Sequence, residues 1–131
     1  MVFLDSTIII DYLNNNEQAV QTIQSLIFDG KKLKTTLFNY FEIYFGEIAF
    51  SKSAKKTEIA LAFLESVEII SPTIQSMKKS AEIKLELKKN GRTIEPNDIF
   101  IAGIAVSDDE TLYTKNTKDF SHIKGLKTKT Y

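Results

Sequence analysis

Four acidic residues stand in positions that ordinary surface acids do not occupy. Asp5 follows the apolar run Val2-Phe3-Leu4, Glu42 lies inside the aromatic stretch 37–50, Asp98 comes two residues after Pro96, and Asp119 follows the short run 111–114. Three of them have a bland explanation when taken singly. Asp5 suits a helix cap, Asp98 suits the positive end of a helix dipole, and Asp119 suits the surface. Glu42 is harder to dismiss, because Phe38, Tyr40, Phe41, Ile43, Tyr44, Phe45, Ile48 and Phe50 surround it on a helix apolar nearly all round. A buried carboxylate without a partner costs several kcal/mol, so Glu42 should reach an exposed edge, pair with a lysine or hold a ligand. Gly46, one turn later, leaves room beside it. Gathered in one crevice, the acids would repel one another: two carboxylates about 5 Å apart oppose each other by roughly 3 kcal/mol at an effective dielectric near 20. Carboxyl groups so placed should hold their protons more tightly than usual. A hard cation relieves the repulsion, and all-oxygen donors suit Mg²⁺ or Mn²⁺.

The elements that would bring them together follow from the pattern. Val2-Phe3-Leu4 reads as a buried strand ending at Asp5, with a short helix from the cap-type residues Ser6 and Thr7 to Leu13. A helix over 17–28 with Val20, Ile23 and Ile27 on one face closes at Gly30, and a strand follows over 33–36. The stretch 37–50 holds six of the fourteen aromatic residues and predicts a helix buried on more than one side, one of them against another chain. Then come a helix over 52–66 with Ile59, Ala60, Phe63 and Leu64 inward, a strand over 67–70, and a helix over 73–89 with Ile74, Met77, Ala81 and Leu85 inward. Pro96 starts the helix that carries Asp98 in its first turn and Ile99–Val106 as its apolar body. A strand over 111–114 precedes Asn116 and Asp119, and 126–130 supplies a last strand. Short strands alternating with helices predict an α/β fold, a parallel sheet with helices on both faces in a three-layer α/β/α sandwich. Ligands in such folds bind beyond the carboxyl ends of the strands.

Composition narrows the chemistry. A chain of 131 residues without linker or repeat is expected to be one domain. It has no cysteine, which removes thiol nucleophiles, disulfides and zinc fingers together. Neither a leader nor a membrane span is apparent, and the expectation is a soluble cytoplasmic protein. Seventeen basic residues balance seventeen acidic ones, but unevenly: residues 1–30 carry no Lys or Arg, while Lys115, Lys118, Lys124, Lys127 and Lys129 crowd the end. A neutral total argues against a bulk nucleic-acid binder, though not against an acidic site with a local basic lip. His122 is the only histidine and has no catalytic partner in view, so it is expected to be structural.

Four stretches in order, F-L-D-S-T-I-I-I-D-Y-L, N-Y-F-E-I-Y-F-G-E, G-R-T-I-E-P-N-D-I-F-I-A-G-I-A and L-Y-T-K-N-T-K-D-F-S-H-I-K-G-L, resemble the PIN-domain proteins, and in particular the VapC toxins of prokaryotic toxin–antitoxin pairs. The resemblance runs essentially end to end. It implies a metal-dependent endoribonuclease, usually dimeric, that cuts structured RNAs such as tRNA within loops and is held inactive by a VapB-like antitoxin. By position, Asp5, Glu42 and Asp98 match the family's metal-site acids. The fourth catalytic position falls on Asn116 or Asp119, according to which members are compared. Thr7, Thr114 and Asn116 match polar positions near the site. Ser6 and Asn39 depart from the usual hydroxylated residues without removing an acid.

The expected mechanism is in-line attack of a metal-bound water on the phosphodiester, with one or two Mg²⁺ or Mn²⁺ ions as cofactor. Lys115, Lys118 and Lys124 are candidates for phosphate contacts that position the RNA. Two other readings compete: a receiver-like signalling domain whose strand-end Asp accepts a phosphoryl group, and an inactive binding module on the same fold. The first leaves Glu42 and the N-x-x-D-F motif unexplained; the second leaves unexplained why every acid is present.

Overall fold

The computed structural model describes residues 1–131. Five parallel strands, β1 (Val2–Leu4), β2 (Leu33–Thr36), β3 (Glu68–Ile70), β4 (Thr111–Tyr113) and β5 (Thr128–Lys129), form one sheet in the order β3-β2-β1-β4-β5. Phe3 on the central strand lies in register with Lys34 on one side and Leu112 on the other. The chain winds outward from β1 to β3, then returns to place β4 and β5 on the other side. The order therefore reverses between β1 and β4, and a crevice opens at their carboxyl ends.

Alternation along β1 divides the core. Val2 and Leu4 point to one side and pack with α1 (Ser6–Leu13), α2 (Glu17–Phe28), α3 (Leu37–Phe50) and α4 (Ala54–Ser66). Phe3 points to the other and packs with α5 (Ile74–Lys89), α6 (Pro96–Ser107) and the short α7 (Thr117–Phe120). The result is the expected three-layer sandwich. Its helices begin where their cap chemistry says: the Asn16 side chain accepts from the Ala19 amide, reciprocal side-chain bonds close capping boxes at Thr36/Asn39 and Thr73/Ser76, and Pro96 opens α6.

The faces differ from the periodicity in three helices. On α5 the apolar stripe Ile74, Met77, Ala81 and Leu85 faces solvent, and Ser76, Ser80, Ile83 and Leu87 face inward. The reason is the closeness of α6. A Cβ at Gly103 would overlap Ser80 Oγ and would meet the Ser76 carbonyl oxygen at 2.7 Å. Ser80 Oγ donates to the Ile99 carbonyl at 3.1 Å. Backbone contact between these helices selects small side chains, so hydrophobicity alone points to the wrong face. Similarly, Ile59 of α4 and Ile27 of α2 are exposed, while Ala60 and Leu64, and Ala19, Ile23 and Leu26, are buried.

α3 differs more. Only Asn39 and Ile43 are buried, and Leu37, Phe41, Tyr44, Phe45, Ile48 and Phe50 remain exposed. The aromatic surface expected to be covered on more than one side is covered, within this chain, along one narrow stripe.

Candidate active site

Asp5 occupies the N-cap position of α1 but makes no side-chain cap bond. Its carboxylate is only 4% exposed and is held from three elements. Oδ1 accepts from Asn39 Nδ2 at 3.0 Å; Oδ2 accepts from Thr114 Oγ1 at 2.7 Å and from Thr7 Oγ1 at 3.3 Å. The cap reading of Asp5 is thereby excluded: the side chain bonds no backbone amide of α1, and two of its three partners, Asn39 and Thr114, lie across the crevice.

Asn39 organises this wall. Its Oδ1 accepts from the Thr36 amide at 3.2 Å and from Thr36 Oγ1 at 2.8 Å, while Nδ2 donates to Asp5 and, at 3.0 Å, to Ser6 Oγ. A hydroxyl could not donate to both Asp5 and Ser6 in this way, because it brings only one donor. From sequence Asn39 looked like a mere departure from a pattern. The signal available was its place three residues after Thr36, the spacing of a capping box.

Glu42, one turn further along α3, extends into the same crevice. Its Oε1 is buried and has no hydrogen-bond partner, and it forms no ion pair. Burial first, then the charges of Asp5 and Asp98, push its pKa up to about 7; a Ser6 contact works the other way. Asp98, in the first turn of α6, is likewise pushed up to about 6 by burial, then by Asp5, Asp119 and Glu95. The repulsion expected of gathered acids is present at both. Asn116 Nδ2 donates to Asp98 Oδ2 at 3.3 Å, and its backbone amide is fixed by Thr114 Oγ1 at 2.9 Å. Thr7 closes the ring, lying 3.3 Å from Thr114 Oγ1 and accepting from the Lys115 amide at 3.0 Å. Asn116 thus touches Asp98 directly, and Asp119, on α7, acts on it through charge.

The basic residues do not all gather here. Lys115 leaves the crevice to pair with Asp11 at 2.7 Å, and Lys124 reaches Glu86 on α5 at 3.5 Å. Lys118 is exposed on α7. His122 contacts Arg92 Nη1 at 2.9 Å, a surface contact in keeping with a structural role.

A cavity of about 340 Å³ lies over Glu42, Glu95, Pro96, Asn97 and Asp98, and Glu42 also lines a groove of about 420 Å³ that passes Ile10, Gly46, Phe50 and Lys56. No three acids are drawn close enough to cage an ion without some movement of their side chains. The donor set nevertheless fits a hard divalent cation: ionisable oxygens alone, one of them buried and unsatisfied, with no sulfur or imidazole.

A family model described as the PIN domain matches residues 2–126. The chain belongs to the PIN-domain family. Ribonuclease VapC1 of Haemophilus influenzae (strain R2866) is 29% identical over 126 residues, which cover 94% of this chain and 92% of that one. The tRNA(fMet)-specific endonuclease VapC of Shigella flexneri is 24% identical over 125 residues, covering 95% and 93%. Among solved structures, VapBC2 from Rickettsia felis bound to a promoter DNA fragment superposes with a TM-score of 0.88 at 25% identity, over 100% of this chain and 99% of that one. VapBC-1 from nontypeable Haemophilus influenzae does so with 0.85 at 27%, over 99% and 98%. This PIN domain carries Asp5, Glu42 and Asp98, with Thr7, Thr114 and Asn116, around one crevice, and no helix in it is long and apolar enough to cross a membrane.

Proposed function

We propose that this PIN domain is the toxin of a VapBC-type pair, a cytoplasmic, divalent-metal-dependent endoribonuclease that cuts structured RNA. The observation that carries the reading is Glu42: a carboxylate with a buried, unpartnered oxygen beside two other acids has no structural purpose in the free chain. Asp5, Asp98 and Glu42 would hold Mg²⁺ or Mn²⁺, with Asn116 and Asp119 supporting Asp98. A bound cation of this kind supplies charge neutralisation at the phosphate and an activated water.

This chain's own residues prepare the crevice for it. Asn39, Thr7 and Thr114 fix both Asp5 oxygens, so that carboxylate is preorganised without a conformational search. Asn116 orients Asp98 from the β4 side. Glu42 and Asp98 hold protons near neutrality when no cation is present, and release them on binding one. Lys115, paired with Asp11, and the exposed Lys118 of α7 would meet RNA phosphates outside the acids; Lys124 is paired toward α5 and would serve only a more distant part of the substrate.

The exposed aromatic face of α3 supports association. Phe41 stacks on Phe45 with ring centres 6.1 Å apart, Phe50 meets Phe45 edge-on at 6.2 Å, and all three rings are exposed. A contiguous apolar patch on a small protein marks an interface, and we assign it to a homodimer contact and the docking of a VapB-like antitoxin. A receiver-like phospho-acceptor is disfavoured, because it gives no role to the buried, unpartnered oxygen of Glu42.

The test is direct. Antitoxin-free protein should cleave RNA in Mg²⁺ or Mn²⁺ and stop in EDTA, and Asp98→Asn purified in parallel should be inactive. Cleavage unaffected by excess EDTA, absent from the Asp98→Asn preparation, would sink the metal-dependent reading.

A further inference from the structure

Lys115 stands between the two residues that address the acids: Thr114 bonds Asp5, and Asn116 bonds Asp98. Its own amide is pinned to Thr7 Oγ1. Its backbone therefore forms part of the crevice wall, yet its side chain turns away. The ammonium sits 2.7 Å from Asp11 Oδ2 on α1 and 5.2 Å from the centre of the Tyr131 ring, and the Tyr131 hydroxyl donates to the same Asp11 oxygen at 2.7 Å. An untethered lysine beside three unneutralised carboxylates would fold onto them. Asp11 and Tyr131 prevent this from the far side, one by charge and one by ring face and hydroxyl. Lys115 first and then Tyr131 lower the pKa of Asp11, so the mount stays charged throughout the neutral region.

An ammonium has three donors, and the contact with Asp11 uses one of them. The Lys115 side chain is 51% exposed, so the rest face solvent at the rim of the crevice. We propose that Asp11 and Tyr131 are positioning residues that mount the Lys115 ammonium at the rim as a fixed contact for one RNA phosphate next to the bond being cut. The proposal rests on the ribonuclease reading above. It adds two residues to those already placed at the crevice: Asp11 on α1, inside the first motif, and Tyr131 after β5, beyond the last.

Because the partner is a phosphate, the readout is salt dependence. Each phosphate contact to a single strand contributes about 0.7 to the slope of log affinity against log salt. Binding of a fluorescein-labelled oligoribonucleotide would be followed by anisotropy between low and moderate KCl on the cleavage-deficient Asp98→Asn background, with KM and kcat for an RNA hairpin measured on the otherwise wild-type chain. Lys115→Ala should flatten the slope by about 0.7 and raise KM about five- to tenfold, the loss falling on KM more than kcat. Lys115→Arg should restore the slope. Asp11→Asn and Tyr131→Phe should raise KM, Tyr131→Phe the less, and neither should add anything on the Lys115→Ala background. An unchanged slope in Lys115→Ala would overturn the proposal. So would a lower KM in Asp11→Asn, or an Asp11→Asn effect that persists without Lys115. Failure of the wild-type protein to cleave RNA would instead strike the ribonuclease reading, while the anisotropy series would still report on the phosphate contact.

Discussion

The two ends of the sheet treat charge in opposite ways. At the amino ends of the strands three acids each have a cation: Lys32 pairs with Glu68 at 3.2 Å, Lys34 with Asp108 at 3.7 Å, and Lys127 with Asp109 at 3.0 Å. At the carboxyl ends Asp5, Glu42 and Asp98 share a crevice with no cation among them, and the nearby Lys115 is held off by Asp11. The sheet, its parallel register and its helix layers are the same at both ends. Folding therefore tolerates a paired arrangement, and under the proposed function the unpaired one is where a cation from outside would enter.

The largest contrast should be in activity. Asp5→Asn, Glu42→Gln and Asp98→Asn should each lower RNA cleavage by at least about a hundredfold, the scale on which loss of one preorganised catalytic group acts. Asp108→Asn at the opposite end should cleave RNA at the wild-type rate. Equal losses at both ends, measured as kcat/KM, would erase the distinction.

Stability should depend instead on residues that only hold the structure, at either end of the sheet. Asn39→Ala strips partners from Thr36, Ser6 and Asp5 at once, and should cost about 2–4 kcal/mol in denaturant unfolding, since each buried group left unsatisfied costs about 1–3 kcal/mol. Asp108→Ala leaves the Lys34 ammonium, with 9% of its side chain exposed, facing only the Phe3 ring at 5.4 Å. That should cost on the order of 1–3 kcal/mol. A smaller loss for Asn39→Ala than for an exposed control such as Lys118→Ala would mean the Asp5 wall is not held by Asn39.

How much of this was legible in the sequence follows from what each feature depends on. The strand order of elements, the caps at Asn16, Thr36 and Thr73, and Pro96 at the start of α6 are local chemistry, and the residues announce them. The nearness of Asp5 and Asp98 was foreseeable because one follows a strand and the other opens a buried helix of a parallel α/β pattern; Glu42 was singled out as a lone acid among apolar residues, on a helix whose other faces proved exposed. The inward face of α5 was not foreseeable, because it is decided by the approach of Gly103 on another helix. Nor were Asn39 as the central clamp, α7, or the Asp11–Tyr131 mount, which joins residues 120 positions apart. Such features rest on long-range geometry that no local period encodes.

The smallest expected effect is the most specific to the crevice. Glu42, raised from 4.5 to about 7, and Asp98, raised from 3.8 to about 6, each keep a proton in the folded metal-free protein at pH values where the unfolded chain has lost it. Between those limits the folded state binds more protons than the unfolded, so stability falls as pH rises, and the full penalty is present above about pH 7. Glu42→Gln and Asp98→Asn remove the ionisation. In EDTA each variant should therefore match wild type near pH 4, and gain on it progressively up to about pH 7 for Glu42→Gln and about pH 6 for Asp98→Asn. Both sites are half-exposed, so screening should limit the gain to on the order of 1 kcal/mol. Asp5→Asn should show no such gain, because an amide oxygen cannot replace a carboxylate that accepts from Asn39, Thr7 and Thr114 at once. Mn²⁺ should reverse the order at neutral pH, raising the wild-type melting temperature more than that of either variant, since a ligand that binds only the folded state stabilises it. Parallel pH profiles for wild type and Glu42→Gln, with equal Mn²⁺ shifts, would show that the acids do not act as one site.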